Sequence, residues 1–263
     1  MGLTISQFEE LLGKQSPKGS ALSWDNVGLL VGSEDWNVET VFIALDATDE
    51  AIDQAIDAGA DLIITHHPMI FKPIGKVTDQ DYIGHRVMKL VENHIGLFAM
   101  HTNFDIHGMN DLARERLGLH HTVILDVCET DEDGREYGIG CIGSLDDSTV
   151  LVEYAKTVRD RFGLSHVKVF GDPAKPINVV ALSPGSGKGE IDVARSKGAD
   201  VLVTGDIDHH SGIDSVEKGM AIIDAGHYGI EYIFIEYIAN YIEEKTKGIK
   251  VCKAEKKEPF WLV

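Results

Sequence analysis

The sequence predicts an α/β protein with a largely parallel sheet. Short β-rich runs alternate with segments whose apolar residues recur at helical spacing, which is typical of β-α-β units. A later stretch of the chain resembles an earlier one, which indicates two similar halves. With 263 residues, of which 43% are apolar, the chain can bury a sizeable core and fits one large domain or two modest ones.

The elements of the first half follow in a regular order. Thr4 is expected to cap a helix over "ISQFEELLG", and Gly13 is expected to end it. Strands are then predicted in "TVFIALDAT", "DLIIT" and "GLFAMH", with intervening helices in "DEAIDQAIDAG" and "YIGHRVMKLVENH". This alternation predicts a series of β-α-β units.

The second half repeats part of the first. Ile191-Asp192 aligns with Ile52-Asp53, and Gly198-Ala199-Asp200 aligns with Gly59-Ala60-Asp61. Helix-end glycines and apolar strands are common to all β-α-β units, but this run of identities favours a duplicated lobe over a solenoid repeat. We expect a first lobe over residues 1–125, joined by the C-terminal segment 225–263, and a second lobe over residues 126–224.

Two adjacent histidines follow the strand in "DLIIT". Neighbouring side chains of a regular strand point to opposite faces, so His66 and His67 could not both reach one ion from within a strand. Either one is a bystander or each binds a different ion. Pro68 prevents the strand from continuing, and functional groups of such sheets come from the carboxyl ends of strands. In a loop, the two imidazoles can each bind a separate ion of a shared cavity.

Further metal-ligand types follow the next predicted strand. His101 and Asp105 come directly after the strand that ends at Met100. Asn110 or Asp111 is expected to cap the helix that follows. This loop is therefore a second place where a histidine and a carboxylate meet the end of a strand.

A third strand end carries a histidine and a glutamate. After a strand that ends at Asp224 and a turn at Gly226, His227 and Glu231 lie one turn apart on one face of a predicted helix. Such a pair alone is more often a solvated surface pair. Three fragments of this kind at three strand ends of a duplicated scaffold instead favour a metal site.

Five motifs then resemble, in order, those of the YbgI-like or Nif-three-like dinuclear-metal-centre proteins, often labelled GTP cyclohydrolase type 2 homologues. They are "SWDNVGLLVG", "THHP", "HTNFD", "TGDIDHH" and "GHYGIE", and together they extend along almost the whole chain. The resemblance implies two interlocked α/β lobes with internal pseudo-symmetry, a metal site between them and a hexameric ring. It also implies that the metal ligands are His66, His67, Asp105, His227 and Glu231.

Other polar residues near the strand ends are candidates for positions around these ligands, where they would orient ligands or transfer protons. The second lobe offers Asp206, His209 and His210, for which a helix cap and a surface loop are an equal alternative. The first lobe offers His101, Asp25 and Asn26. The segment "SPGSGKGE" lacks the hydroxyl residue of a phosphate-binding loop, because Gly189 stands in that place.

The ligand set predicts a chemistry. Imidazoles and carboxylates without a thiolate suit two divalent ions per chain, chosen among Zn, Mn, Fe, Co and Ni. Asp105 and Glu231 can bridge ions roughly 3.5–4 Å apart, and a metal-bridging water would then be the nucleophile of a hydrolase. The family label makes a nucleotide- or pterin-like small molecule the expected substrate. The alternative is a metal-binding scaffold protein without turnover.

The composition indicates which binding partners and which cellular location to expect. Asp and Glu number 43 against 24 Lys and Arg, and the net charge of -19 disfavours nucleic acid and anionic lipid. Cys128, Cys141 and Cys252 lack metal or redox spacing, which favours free thiols in a reducing cytoplasm. We find no signal-peptide pattern or membrane-spanning apolar run. The apolar end, residues 260–263, favours a homo-oligomer, although it could also fold back on its own lobe.

Overall fold

A computed structural model of the chain describes residues 2–261 and 263. It divides into two compact units, of which the first contains the chain up to Phe104 together with Phe234–Lys257. The second contains Asp105–Ile233 and the described residues after Lys257. The chain thus leaves the first unit earlier than the sequence suggests, because the strand over His120–Thr130 pairs with the strand over Glu136–Val150 inside the second unit.

The elements up to Phe104 begin with a short strand and a capped helix. In chain order they are β1 (Leu3–Thr4), α1 (Ile5–Gln15), β2 (Gly28–Val31), β3 (Asn37–Val38), β4 (Thr40–Ala44), α2 (Asp49–Asp57), β5 (Leu62–Thr65), α3 (Tyr82–Glu92), β6 (Gly96–Ala99) and α4 (Thr102–Phe104). Lys18–Ser20 form a turn of 3-10 helix.

The remaining elements start with a π-helical turn over Asp105–Met109. They continue with α5 (Asn110–Leu117), β7 (His120–Thr130), β8 (Glu136–Val150), α6 (Leu151–Phe162), β9 (Lys168–Phe170), β10 (Pro176–Ser186), α7 (Ile191–Ser196), β11 (Val201–Gly205), α8 (His209–Glu217), β12 (Ala221–Asp224), α9 (His227–Glu231), α10 (Ile233–Lys245) and β13 (Lys250–Lys253). Gly187–Glu190 form a second 3-10 turn.

The sheet of the first unit has the strand order β13-β4-β5-β6-β2. Its first four strands are parallel, as the sequence predicts, whereas β2 is antiparallel to β6. Phe42, Ile63 and Leu97 on neighbouring strands are buried in one cluster with Ile52 of α2 and Leu90 of α3. These two helices therefore cover one face of the sheet, and the apolar stripes of their sequences account for it.

The sheet of the second unit has the order β7-β8-β10-β11-β12-β9. Only β10, β11 and β12 are parallel; β7, β8 and β9 run antiparallel to their neighbours. Ala181, Leu202 and Ile222 of the parallel strands are buried together with Ala194 of α7. The α/β class predicted from the sequence is thus confirmed, with a mixed sheet in each unit.

The internal repeat appears as the same hydrogen bonds in both units. The Asp61 carboxylate accepts from the backbone N–H groups of Glu39 and Thr40, both at 2.9 Å. The Asp200 carboxylate accepts from Asn178 and Val179 at 2.9 and 2.8 Å. Each aspartate thereby fixes the start of one parallel strand, β5 or β11, to the neighbouring strand, β4 or β10. The shared bonds support a duplicated β-α-β unit.

Replacing either of these aspartates by alanine should destabilise its unit. Because two backbone N–H groups would lose their acceptor, we expect Asp61→Ala and Asp200→Ala each to lower the free energy of unfolding by about 1–3 kcal/mol. Urea titration followed by circular dichroism measures this change. Asp57→Ala, at an exposed position of α2, is the control and should stay within about 0.5 kcal/mol of wild type. Equal stability of all four proteins would contradict the assignment.

Of three local expectations, one is confirmed and two are wrong. Thr4 caps α1 with a capping box, since its side chain accepts from Gln7 and the Gln7 side chain accepts from the Thr4 N–H. Gly13 does not end this helix, which continues to Gln15 because Leu12 in the last turn is still buried in the core. Likewise, neither Asn110 nor Asp111 caps α5, because the π-helical turn runs directly into it.

Candidate metal centre

His66 and His67 lie directly after β5, where the sequence places them. The backbone there is held in place, since the His67 N–H donates to the Leu45 carbonyl at 2.9 Å and the Thr65 hydroxyl donates to the His67 carbonyl at 2.9 Å. His66 is completely buried, whereas the His67 side chain is 22% exposed. The strand end therefore presents one imidazole to the interior and the other partly to solvent.

Both rings are oriented through their Nδ1 atoms. Nδ1 of His66 lies 2.7 Å from the Met100 carbonyl oxygen. A carbonyl only accepts hydrogen bonds, so this contact places the proton on Nδ1 and the lone pair on Nε2. Nδ1 of His67 lies 2.9 Å from Oδ1 of Asp46, which favours the same tautomer. Hydrogen bonds of this kind hold metal-binding histidines in position in many metalloproteins.

His101 is held in the same way by Asp25. Its Nδ1 lies 2.9 Å from Oδ1 of Asp25, whose other oxygen accepts from the Thr102 N–H at 3.0 Å and the Thr102 hydroxyl at 2.6 Å. Burial of Asp25 alone would raise its pKa, but the bonds from His101 and Thr102 outweigh burial and lower that pKa to about 2. Asp25 is therefore an anion that fixes both the His101 ring and the chain after it.

Three imidazoles of the first unit converge on one point. His66, His67 and His101 each offer a ring nitrogen within 4.8 Å of the others. Their ring centroids are separated by 4.9 to 5.6 Å. His101, which the sequence places around the ligands, thus lies beside the histidine pair itself and has the geometry of a ligand.

In the second unit, α9 carries a histidine and a glutamate that lie close together. Nε2 of His227 lies 3.1 Å from Oε2 of Glu231, one turn further along the helix, and Nδ1 of His227 lies 2.7 Å from Oδ2 of Asp206. Burial would lower the pKa of His227, but the carboxylates of Glu231 and Asp206 raise it to about 9. Glu231 is buried, so a positive charge is strongly favoured next to it.

Glycines make room for this pair. A Cβ at Gly185 would overlap Oε1 of Glu231 and lie 3.7 Å from Nε2 of His227, and Gly185 has φ +74°. A Cβ at Gly205 would lie 2.6 Å from the backbone nitrogen of His227. The segment "SPGSGKGE" is therefore packed against the His227–Glu231 pair at Gly185.

The other candidates occupy varied positions. Asp105 is half-buried and opens the π-helical turn, whereas the sequence places it in a loop. His209 and His210 are exposed in the first turn of α8, next to its capping residue Asp208. The Asn26 amide donates to the Ile70 carbonyl. The structure thus places Asp25 and Asp206 in contact with histidines and gives His209, His210 and Asn26 other surroundings.

Sequence reasoning missed two groups that orient the histidine pair. Asp46 lies two residues after β4, at the same edge of the sheet as His67, so the strand-end rule could have found it. The Met100 contact uses a backbone carbonyl, for which no side-chain pattern exists. In all, four histidines (His66, His67, His101 and His227) have Nδ1 within hydrogen-bonding distance of an oxygen, an arrangement that is common among metal-binding histidines.

These features define a class: an α/β protein of two related units whose buried histidine and glutamate groups could hold a metal ion. The chain belongs to the Duf34/NIF3 (NGG1p interacting factor 3) family, whose model matches residues 3–259. This match confirms the resemblance stated from the sequence motifs.

Individual relatives agree with the family assignment. A "GTP cyclohydrolase 1 type 2 homolog" of Clostridium acetobutylicum is 33% identical over 245 residues, covering 92% of this chain and 91% of that protein. One of the same name from Clostridium perfringens is 32% identical and covers 98% of this chain and 99% of its own length. The crystal structure of a Bacillus cereus protein related to NIF3 shares the fold, with a TM-score of 0.92, 24% identity and coverage of 100% and 99%.

Proposed function

We propose that this protein is a dinuclear metal-dependent hydrolase of a small molecule. In this proposal His66, His67, Asp105, His227 and Glu231 would hold two divalent ions per chain. One observation carries the proposal: His66, His67 and His101 each offer a ring nitrogen within 4.8 Å of the others, and oxygen acceptors at Nδ1 hold the rings of His66 and His67 in place. The mixed nitrogen and oxygen donors suit Zn, Mn, Fe, Co or Ni.

The ions, when bound, would acidify a water molecule toward neutral pKa and polarise the bond to be broken. The protein's own residues supply orientation and charge. Asp46 and Asp206 hold His67 and His227 by their Nδ1 atoms, which raises the basicity of Nε2. Glu231, buried beside His227, brings the negative charge that a divalent ion would neutralise.

A substrate screen tests this function. We expect the Mn- or Zn-loaded protein to hydrolyse a member of a panel of nucleotides, pterins, phosphoesters and cyclic amides, because the names of the relatives point to a GTP cyclohydrolase type 2-like activity. Turnover should be lost in His67→Ala and kept in His120→Ala, a control at an exposed position of β7. Two bound ions without any turnover would contradict the hydrolase and favour a metal-binding scaffold protein.

We further propose a cytoplasmic homo-oligomer, with a hexameric ring as the expected form. Phe260 packs on the His166 ring with centroids 6.0 Å apart, while Trp261 is 81% exposed, and Leu262 lies outside the described residues. An exposed indole at the chain end favours association. Light scattering measures the assembly, and a monomer across a wide concentration range would contradict it.

Within the described part of the chain, no helix has the length and apolar character to cross a membrane.

A further inference from the structure

Asp224 and Lys168 form an ion pair beneath the His227 turn that neither the sequence motifs nor the ligand assignment uses. Asp224 is the last residue of β12 and is 6% exposed. Lys168 lies opposite it in the antiparallel register of β9 and β12, and its Nζ lies 2.8 Å from Oδ2 of Asp224. A buried carboxylate costs free energy unless it is fully hydrogen-bonded, so its partners indicate its role.

The Asp224 carboxylate connects two loops. Oδ2 accepts from the Ile207 N–H and Oδ1 accepts from the Gly226 N–H, both at 3.1 Å. Lys168 completes the connection, since its Nζ also donates to the Ile207 carbonyl at 2.8 Å. The backbone on both sides of this carboxylate is therefore fixed by charge-assisted bonds, which are stronger than neutral ones.

The two loops carry the two partners of the Asp206–His227 hydrogen bond. Ile207 follows Asp206 directly, and Gly226 precedes His227 directly. Asp206 has φ +57°, a left-handed conformation that costs free energy in a residue other than glycine. Such a conformation persists only where the surrounding structure imposes it, and the bonds of Ile207 to Asp224 and Lys168 provide that constraint.

We propose that Asp224, with Lys168, is a positioning pair that sets the Asp206–His227 hydrogen bond and thereby the metal affinity of the second unit. The metal part of this inference rests on the proposed function. The positioning part concerns the protein alone and can be tested separately.

Asp224→Asn is the decisive variant. Asparagine keeps the size of the side chain, but its NH2 group donates and cannot accept from a backbone N–H. One loop therefore loses its anchor, and Lys168 loses its counter-charge. We expect the dissociation constant for Mn or Zn, measured by calorimetry on the full-length protein, to rise about tenfold, the scale seen when groups that orient metal ligands are removed.

Asp200→Asn is the matched control. Asp200 also accepts from two backbone N–H groups of the second unit, but it lies before β11, at the opposite end of the strand from Asp206. Both bonds use the same oxygen, Oδ2, so the asparagine carbonyl can keep them, and this variant should keep the metal affinity of the wild type. Lys168→Met should weaken binding by a smaller factor than Asp224→Asn, and it serves as the second test if Asp224→Asn does not fold.

A crystal structure of Asp224→Asn grown with a chelator separates positioning from metal binding. We expect the distance between Oδ2 of Asp206 and Nδ1 of His227 to increase from 2.7 Å to beyond about 3.5 Å, where no hydrogen bond remains. If the bond is lost although the wild type binds no metal, the positioning pair stands and the proposed function fails. An unchanged bond together with unchanged metal affinity would overturn the positioning pair.

Discussion

Replacing Glu231 by glutamine is expected to reduce the bound metal from two ions per chain to one or none. The glutamine amide has no negative charge and only one acceptor oxygen, so it cannot bridge two cations. Glu231 is buried and lies 3.1 Å from Nε2 of His227, and its charge is therefore little screened by water. Elemental analysis of dialysed protein and anomalous scattering measure the number and the place of the ions.

The matched control is Glu217→Gln at the exposed end of α8. It removes the same charge from the same unit and should retain two ions. If Glu231→Gln also retains two ions, Glu231 is not a bridging ligand. A wild-type protein without ions after exposure to Mn and Zn would contradict the metal site as a whole.

Replacing Gly185 by alanine is expected to weaken metal binding as strongly as the loss of an orienting group, by about tenfold or more. The added Cβ would overlap Oε1 of Glu231 and force that carboxylate to move. Its φ of +74° would also cost about 1–2 kcal/mol in an alanine. Metal titration by calorimetry measures the affinity, and thermal unfolding measures the stability.

Gly189→Ala is the control from the same segment. A Cβ at Gly189 meets nothing within 4 Å, and its φ does not lie in the left-handed region. This variant should bind metal like the wild type. If Gly185→Ala binds metal equally well, Glu231 can reach its ligand position by another rotamer, and the glycine is not required by the site.

The positions at which strands end could be predicted from the sequence, because they depend on residues that are close together in the chain. The apolar run before His66 and the proline after His67 predict where β5 ends, and it ends at Thr65. The turn at Gly226 and the helix with His227 were predicted for the same reason. Each signal lies within a few residues of the feature that it predicts.

Features that depend on distant contacts were not predictable in this way. The close approach of His101 to the histidine pair requires β5 and β6 to lie side by side. The π-helical turn at Asp105 has no sequence pattern, and the early end of the first unit depends on the pairing of β7 with β8. The need for a glycine at position 185 also depends on a distant contact, because it follows from the close approach of the Glu231 side chain.

Asp61 and Asp200 make equivalent hydrogen bonds at the start of β5 and β11, whereas the opposite ends of these two strands differ in chemistry. In the alignment of the two halves, His67 corresponds to Asp206. The first copy has the imidazole of His67 at this position. The second has the carboxylate of Asp206, which is hydrogen-bonded to the imidazole of His227 on α9. The two units thus share the same strand-end scaffold, while equivalent positions carry side chains of different chemistry. Exchanging residues between the copies is a natural route to redesigning the centre.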